Sequence, residues 1–365
     1  MDCKNNVKAS VLIFTYNRKQ FIKNALDSVI ASQKGIDNVE IIISTCIPRD
    51  ELELDPVPPN VKYLVFPYQT LYGEQLIETV KKSNGEILLF LEDDDVFEHN
   101  KINIVLNLFE DSSNVIAVKN EATDVISEGY IDESVFNKKH TELHHISKSR
   151  DYNIDLITPR DIYDLILSRI VVNPSTLSVR RSVILENEDV IRNNDPMDIL
   201  ISAAILNSHG FIKYLDRNLT AYRLHSSNDS HFARERDADK LRDRMLKTTN
   251  KYLQGLNGAY DVINLKPMAK LLIQYFITQE KFSLLILTYH SSRGVFIKSV
   301  FNSFAIEVYL RKKPSFVKIG GLSMIAKKLL FAFMIAKKLL FAFIYILNRN
   351  LAYKIYIKMA MLFPR

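Results

Sequence analysis

Two hydrophobic periods alternate along the first hundred residues. Apolar positions run almost continuously through VKASVLIFTY (7–16), then recur at helical spacing from Lys19 to Gln33, where Phe21, Ile22, Ala25, Leu26 and Val29 share one face. Two β-branched runs, VEIIIST (39–45) and VKYLVF (61–66), predict further strands. Leu71 to Ser83 predicts a helix, and Asn84-Gly85 punctuates before a strand from Glu86 to Leu91. This alternation predicts an α/β fold built on a mainly parallel sheet with helices on both faces. Such sheets bind ligands at the carboxyl ends of their strands.

Beyond residue 150 the periods change. TPRDIYDLILSRI opens a helix with Thr158 as N-cap, Pro159 in the first turn and Asp161 completing a capping box. PSTLSVRRSVI (174–184) reads as a strand running into a helix, and NNDPMDILISAAILNSHGF (193–211) as a second helix introduced by acids. From Ala233, ARERDADKLRDRMLKTTNKYL is a highly charged helix leading into further helices.

Composition adds scale. With 365 residues, 47% hydrophobic and 25% charged, the chain is globular and long enough for a large core plus a second unit. Its two cysteines, Cys3 and Cys46, cannot make a disulfide framework and predict a reducing cytosol. The apolar run at the N-terminus is too short for a signal sequence, so no export is expected.

Charge divides the chain. Residues 308–365 carry twelve Lys and Arg and no acid, leaving an excess of six acids upstream although the total is +6. The same tail holds a tandem repeat, MIAKKLLFAF at 324–333 and again at 334–343. Lysine pairs interrupt every window long enough to span a bilayer. The pattern predicts a cationic amphipathic helix lying in the membrane interface, with lysines that snorkel to anionic headgroups. A helix packed on the protein's own body is the alternative. The apolar content is too high for a solvated nucleic-acid-binding arm.

One stretch carries the chemistry. EILLFLEDDDVFEHNKI (86–102) ends a buried strand in four consecutive acids, Glu92 to Asp95. Adjacent buried carboxylates repel one another and resist leaving water, so the arrangement is destabilising unless a cation joins it. A hard divalent cation, Mg²⁺ or Mn²⁺, held by one or two carboxylates and completed by substrate phosphates, fits this donor set. A solvated turn capping the next helix is the alternative.

These residues resemble a family. SVLIFTYNRKQFIKNALDSVIASQ (10–33) is similar to the opening strand and helix of the family 2 glycosyltransferases, and NGEILLFLEDDDVFEHNKI to their strand ending in the DXD signature. The resemblance covers about residues 7–232. It implies a GT-A fold, with a Rossmann-like mixed sheet flanked by helices, a nucleotide-diphosphate sugar donor and a divalent metal. By the same resemblance Asp94 is the direct metal ligand, with Glu92 and Asp95 supporting and Asp93 near the donor ribose. Thr15, Tyr16, Asn17 and Arg18 form the loop against the nucleotide.

The chain departs from the family after its second strand. Ser44, Thr45 and Cys46 stand where an acid usually contacts the base, and Asp50 and Asp55 in the following loop are the candidates to substitute for it. The donor base therefore stays open. The family's Glu-Asp pair at the mouth of a later helix, which supplies the general base, is here Asn194-Asp195. Asp195 is the first candidate base, with helix N-cap as its alternative role, and Asp198 is the second. A base is needed because a sugar hydroxyl is a poor nucleophile until its proton is taken. NLTAYRLHSSNDSHF (218–232) resembles the Tyr-Arg-x-His segment closing the catalytic domain. Arg223 and His225 alternate on one strand face toward the diphosphate, and His225 is a further candidate for the metal site. Arg180 and Arg181 are additional cationic candidates.

The expectation is an inverting, hexosyltransferase-type enzyme with a GT-A domain over 1–232, a helical extension over 233–310 and a membrane-surface segment over 311–365. Its acceptor would be a lipid-linked glycan or polyprenyl phosphate, at the cytoplasmic face of the cell membrane. A non-catalytic sugar-nucleotide-binding scaffold and a Mg²⁺-dependent phosphotransfer enzyme are the alternative readings.

Overall fold

The computed structural model describes residues 7–16, 18–52, 54, 60–137, 149–167, 173–225 and 238–288. The membrane-surface expectation for 311–365 lies outside them. Among the described residues, no helix is long and apolar enough to cross a membrane.

The first half follows the hydrophobic pattern closely: β1 (Ala9–Thr15), α1 (Lys19–Gln33), β2 (Val39–Thr45), β3 (Val61–Val65), α2 (Tyr72–Lys82) and β4 (Ile87–Glu92). Strand β1 pairs in parallel with both β2 and β4, and β2 with β3. Their registers place Thr15 opposite Thr45 and Phe14 opposite Glu92, so three strands end together. Because strand side chains alternate, Val11, Ile13, Ile41, Ile43, Leu89 and Leu91 enter one core, under α1 and α3 (Lys101–Glu110). Leu12, Phe14, Ile42, Leu88 and Phe90 enter the other. Two-sided burial explains why these strands read as unbroken apolar runs.

Past β4 antiparallel pairings enter the sheet. The remaining strands are β5 (Val96–Phe97), β6 (Val115–Ile126), β7 (Arg150–Asn153), β8 (Leu177–Arg180) and β9 (Phe211–Leu224), in the order β3-β2-β1-β4-β8-β6-β9-β5, with β7 also on β9. Strand β8 runs antiparallel to both β4 and β6, and β5 and β7 antiparallel to β9. With β6 parallel to β9, the sheet is a mixed one flanked by helices, as the GT-A resemblance implies. Reversal matters for the site: β8 enters beside the acid end of β4, and β5 turns back along β9 immediately after the acids.

Helices α4 (Pro159–Leu167), α5 (Arg181–Leu185), α6 (Glu188–Ile191) and α7 (Met197–Asn207) follow. The capping box at α4 forms as expected, with the Thr158 amide donating to Asp161 Oδ2 at 2.9 Å and the Asp161 amide to Thr158 Oγ1 at 3.3 Å. Helix α7 is apolar all round and almost wholly buried, as a helix enclosed on every side must be. The charged segment after residue 233 yields α8 (Ala238–Tyr260), and α9 (Pro267–Thr288) completes the described fold. Leu253, Leu256, Leu272, Ile273 and Ile277 from this pair share one core with α7 and the sheet.

Candidate functional site

The four acids occupy the carboxyl end of β4 and the turn into β5. Asp93, Asp94 and Asp95 are buried and Glu92 is half-buried. The turn is fixed by backbone bonds, Asp93 N–H to Phe14 O at 3.1 Å and Asp95 N–H to Glu92 O at 3.2 Å. Ser175, arriving just ahead of the reversed β8, accepts the Glu92 amide through its hydroxyl at 3.0 Å.

Arg18 and His225 already face this turn. Arg18 donates from Nη1 to Asp94 Oδ2 at 2.8 Å and places Nη2 2.8 Å from Asp93 Oδ1. His225 Nε2 lies 2.8 Å from the same Asp94 Oδ2, its ring against Phe21. Burial opposes ionisation of Asp94, but Arg18 and His225 outweigh it and hold its carboxyl below the ordinary range. The neighbours go the other way. Burial pushes Asp93 up to about 6 against the pull of Arg18, and burial with the Asp94 charge pushes Asp95 up to about 8. Burial, then Asp94 and Asp95, hold Glu92 well above the usual carboxylate range.

Glu92, Asp94 and Asp95 each offer a carboxylate oxygen within 4.8 Å of the others. Asp95 Oδ1 accepts the Arg223 amide at 3.0 Å, whereas Oδ2 accepts no hydrogen bond. A buried, unbonded carboxylate oxygen within a cluster of hard oxygen donors fits Mg²⁺ or Mn²⁺. A second grouping, Glu98, His99 and Glu133, lies more openly, and Glu133 raises the His99 pKa through a 2.6 Å contact.

Arg223 takes a different place from the one its strand alternation suggests. Its guanidinium is buried under the acid turn, with Nε donating to Asp94 O at 2.7 Å, Nη2 to Asn24 Oδ1 at 2.7 Å and Nη1 to Gly129 O. So placed, it braces the turn from below, and its planar fork is matched to several acceptors at once. Replacement by Lys cannot reproduce that fork. Arg223→Lys is expected to lower the unfolding free energy by at least about 2 kcal/mol, read from a denaturant midpoint at unchanged slope.

The β1 loop is partly in view. Thr15 is buried and its carbonyl accepts the Cys46 amide at 3.3 Å; Tyr16 donates its hydroxyl to Tyr68 O and stacks on Tyr68 and Tyr72, with ring centroids at 4.6 and 5.5 Å. Asn17 lies outside the described residues. At the end of β2, Ser44 is engaged by Thr79 and Gln75, and Thr45 by the Ile47 amide. Arg180 and Arg181 are far from this end. The antiparallel register sets Arg180 opposite Ile87, at the start of β4, where it bonds Val115 O and Glu86.

The two candidate bases stand in different settings. Asp195 is buried ahead of α7, whose N-cap is Pro196 with no side-chain capping bond, and pairs with Lys251 Nζ at 3.5 Å. Burial raises its pKa and Lys251 opposes the rise. Asp198 lies in the first turn of α7, close enough to Glu92 for its charge to raise the Glu92 pKa. Burial lifts Asp198 to about 6, although the Ile199 and Asn173 amides donate to it.

Two buried lysines carry no signal in the sequence pattern. Lys101 donates to Ser175 O at 2.5 Å and Thr220 Oγ1 at 2.9 Å over the Phe97 ring, and Lys119 donates to Thr176 Oγ1. Burial, then Lys119, holds Lys101 well below its ordinary pKa. They pin the Ser175-Thr176 turn behind the acids. Each reads in sequence as an ordinary polar position on a helix or strand, and only the crossing of β8 between β4 and β6 brings them to that turn.

Residues 10–161 match the model of a family described as glycosyl transferase family 2. A comparison with curated proteins finds no match. Among solved structures, TarS 1–349 of S. aureus in complex with UDP-GlcNAc is similar with a TM-score of 0.49 at 15% identity, over 84% of this chain and 92% of that one. The mannosyltransferase PcManGT of Pyrobaculum calidifontis, in complex with GDP-Man and Mn²⁺, is similar with a TM-score of 0.47 at 11% identity, over 98% and 87%.

Proposed function

We propose, for a chain that belongs to the family 2 glycosyltransferases through its residues 10–161, an inverting, divalent-metal-dependent hexosyl transfer from a nucleotide-sugar donor to a hydroxyl acceptor, on a GT-A type fold. The observation that carries this reading is the buried acid cluster at the carboxyl end of β4.

The roles follow from position. Tyr16 and Arg18, with Thr15 and Asn17 in the same loop, and Asp93 would hold the nucleoside. Glu92, Asp94 and Asp95, with His225 against Asp94, would hold Mg²⁺ or Mn²⁺. When bound, the ion neutralises charge on the diphosphate leaving group. We assign Asp198 as general base, because a carboxyl with a pKa of about 6 is ionised at neutral pH yet still basic. It takes the acceptor hydroxyl proton as the new O–C1 bond forms and the C1–O bond to the diphosphate breaks, with the electron pair leaving on the nucleoside diphosphate. A single displacement inverts C1.

The acceptor class comes from the chain's other end. The basic, apolar segment 311–365 supports a peripheral contact with the cytoplasmic face of a membrane, and hence a lipid-linked glycan or polyprenyl phosphate acceptor. In this division 1–232 handles donor and metal, and 233–310 lies between it and the membrane segment. The scaffold reading keeps one supporting observation, the neutral Ser44, Thr45 and Cys46 at the end of β2. Incubating the full chain with Mn²⁺ and a panel of UDP- and GDP-sugars separates the two. Release of nucleoside diphosphate supports transfer, whereas binding without release supports the scaffold.

A further inference from the structure

Helix α8 lies outside the residues that match the family, yet it touches the segment leading to the base more closely than ordinary packing allows. A Cβ on Gly255 would fall 2.2 Å from Asp195 O and 2.3 Å from Asp195 N, and a Cβ on Gly258 would fall 2.4 Å from Asn194 Oδ1. At Gly255, where the contact is with backbone, only glycine permits that approach. One turn earlier on the same helix, Lys251 reaches the Asp195 carboxylate at 3.5 Å and stands 5.0 Å over the Tyr72 ring. Residues 251, 255 and 258 are spaced to share one helix face.

The segment is held by a second helix too. Gly73, in α2, approaches so closely that its Cβ would meet Ile191 O at 1.9 Å and Asn194 O at 2.6 Å. Asn194 itself donates to Val190 O at 2.9 Å. Residues 191–195 are therefore held against both α2 and α8, and α7 with Asp198 begins two residues after Asp195. Rigid packing against both helices transmits a displacement at α8 to the first turn of α7, since a close-packed interior has little slack.

We propose that Lys251, Gly255 and Gly258 form a positioning face by which α8 seats the Asn194-Asp195 segment and so aims Asp198 at the acid cluster. The inference rests on the assignment of Asp198 as base. It makes α8 part of the reacting unit, with Asp195 as the anchor that Lys251 grips. Lys251 is nearly half exposed, so its ion pair adds little to global stability. Its effect should therefore show in turnover and not in melting temperature.

The test uses the full chain with Mn²⁺ and the UDP- and GDP-sugar panel. Lys251→Met is expected to lower kcat for nucleoside diphosphate release about ten-fold at unchanged donor KM and unchanged melting temperature, with Lys251→Arg restoring most of the loss. Gly255→Ala should cost about a hundred-fold while keeping the thermal shift produced by donor and Mn²⁺. Amide hydrogen exchange gives a readout that needs no turnover: both variants should speed exchange over residues 197–201 and leave the β1 and β4 amides unchanged. Wild-type kcat in Lys251→Met, or unchanged exchange in that segment, overturns the proposal. Asp198→Asn in the same assay separates the two levels. If it keeps turnover, the base assignment fails and takes this inference with it. If it loses turnover while Lys251→Met and Gly255→Ala keep theirs, only the positioning role fails.

Discussion

Asp94→Ala is expected to abolish the stabilisation that Mn²⁺ and a sugar nucleotide give together, and to reduce nucleoside diphosphate release at least about a thousand-fold. Asp94 is the one acid of the four whose carboxyl is held below its ordinary pKa, because Arg18 and His225 both face Oδ2. It therefore presents a full negative charge to a cation at neutral pH, while burial leaves Glu92 and Asp95 reluctant to ionise without one. Removing it also takes one carboxylate partner from each of Arg18 and His225 in a buried pocket, so the metal-free variant should melt lower than wild type. Asp94→Asn keeps the side-chain volume and serves as the control. The thermal response must vanish in both variants, whatever their starting stability, and its survival in Asp94→Asn would remove Asp94 from the metal site.

Asp198→Asn should retain donor binding within about two-fold and lose turnover by about 10²–10⁴-fold, the range general-base removal commands. The wild-type profile of kcat/KM should fall on its acid side with a midpoint near the Asp198 pKa of about 6. The stability effect has the opposite sign from the activity effect. Burial raises this carboxyl from 3.8 in the unfolded chain to about 6 in the fold, so the folded state holds a proton that the unfolded state releases. Its contribution to stability is full below pH 3.8 and is lost as pH rises through 6. An amide carries no such charge, so Asp198→Asn should be at least as stable as wild type at pH 7. Loss of activity together with maintained stability would mark Asp198 as a functional group seated at a structural cost.

The outlines of this site can be read in the sequence because they depend on local pattern. Buried parallel strands leave unbroken apolar runs, so β1, β2 and β4 and the acids ending β4 stand out, and Arg18 follows directly from the end of β1. What the sequence does not show arises from long-range crossings. The reversal of β8 brings Ser175, Lys101 and Lys119 together from three separate elements, and no periodicity announces that. Arg223 shares a strand face with His225, but the turn of β5 back along β9 buries its guanidinium beneath Asp94. Asp195 and Asp198 likewise differ only through long-range neighbours: Lys251 from α8 pairs with the first, and the charge of the second raises the Glu92 pKa.

Crystals of the full chain grown with Mn²⁺ and a nucleoside diphosphate, measured at the manganese absorption edge, test the central assignment most directly. The account predicts an anomalous peak bound by Asp94 with Glu92 or Asp95, with the diphosphate against it. A peak at Glu98, His99 and Glu133 with none at the end of β4 would contradict it.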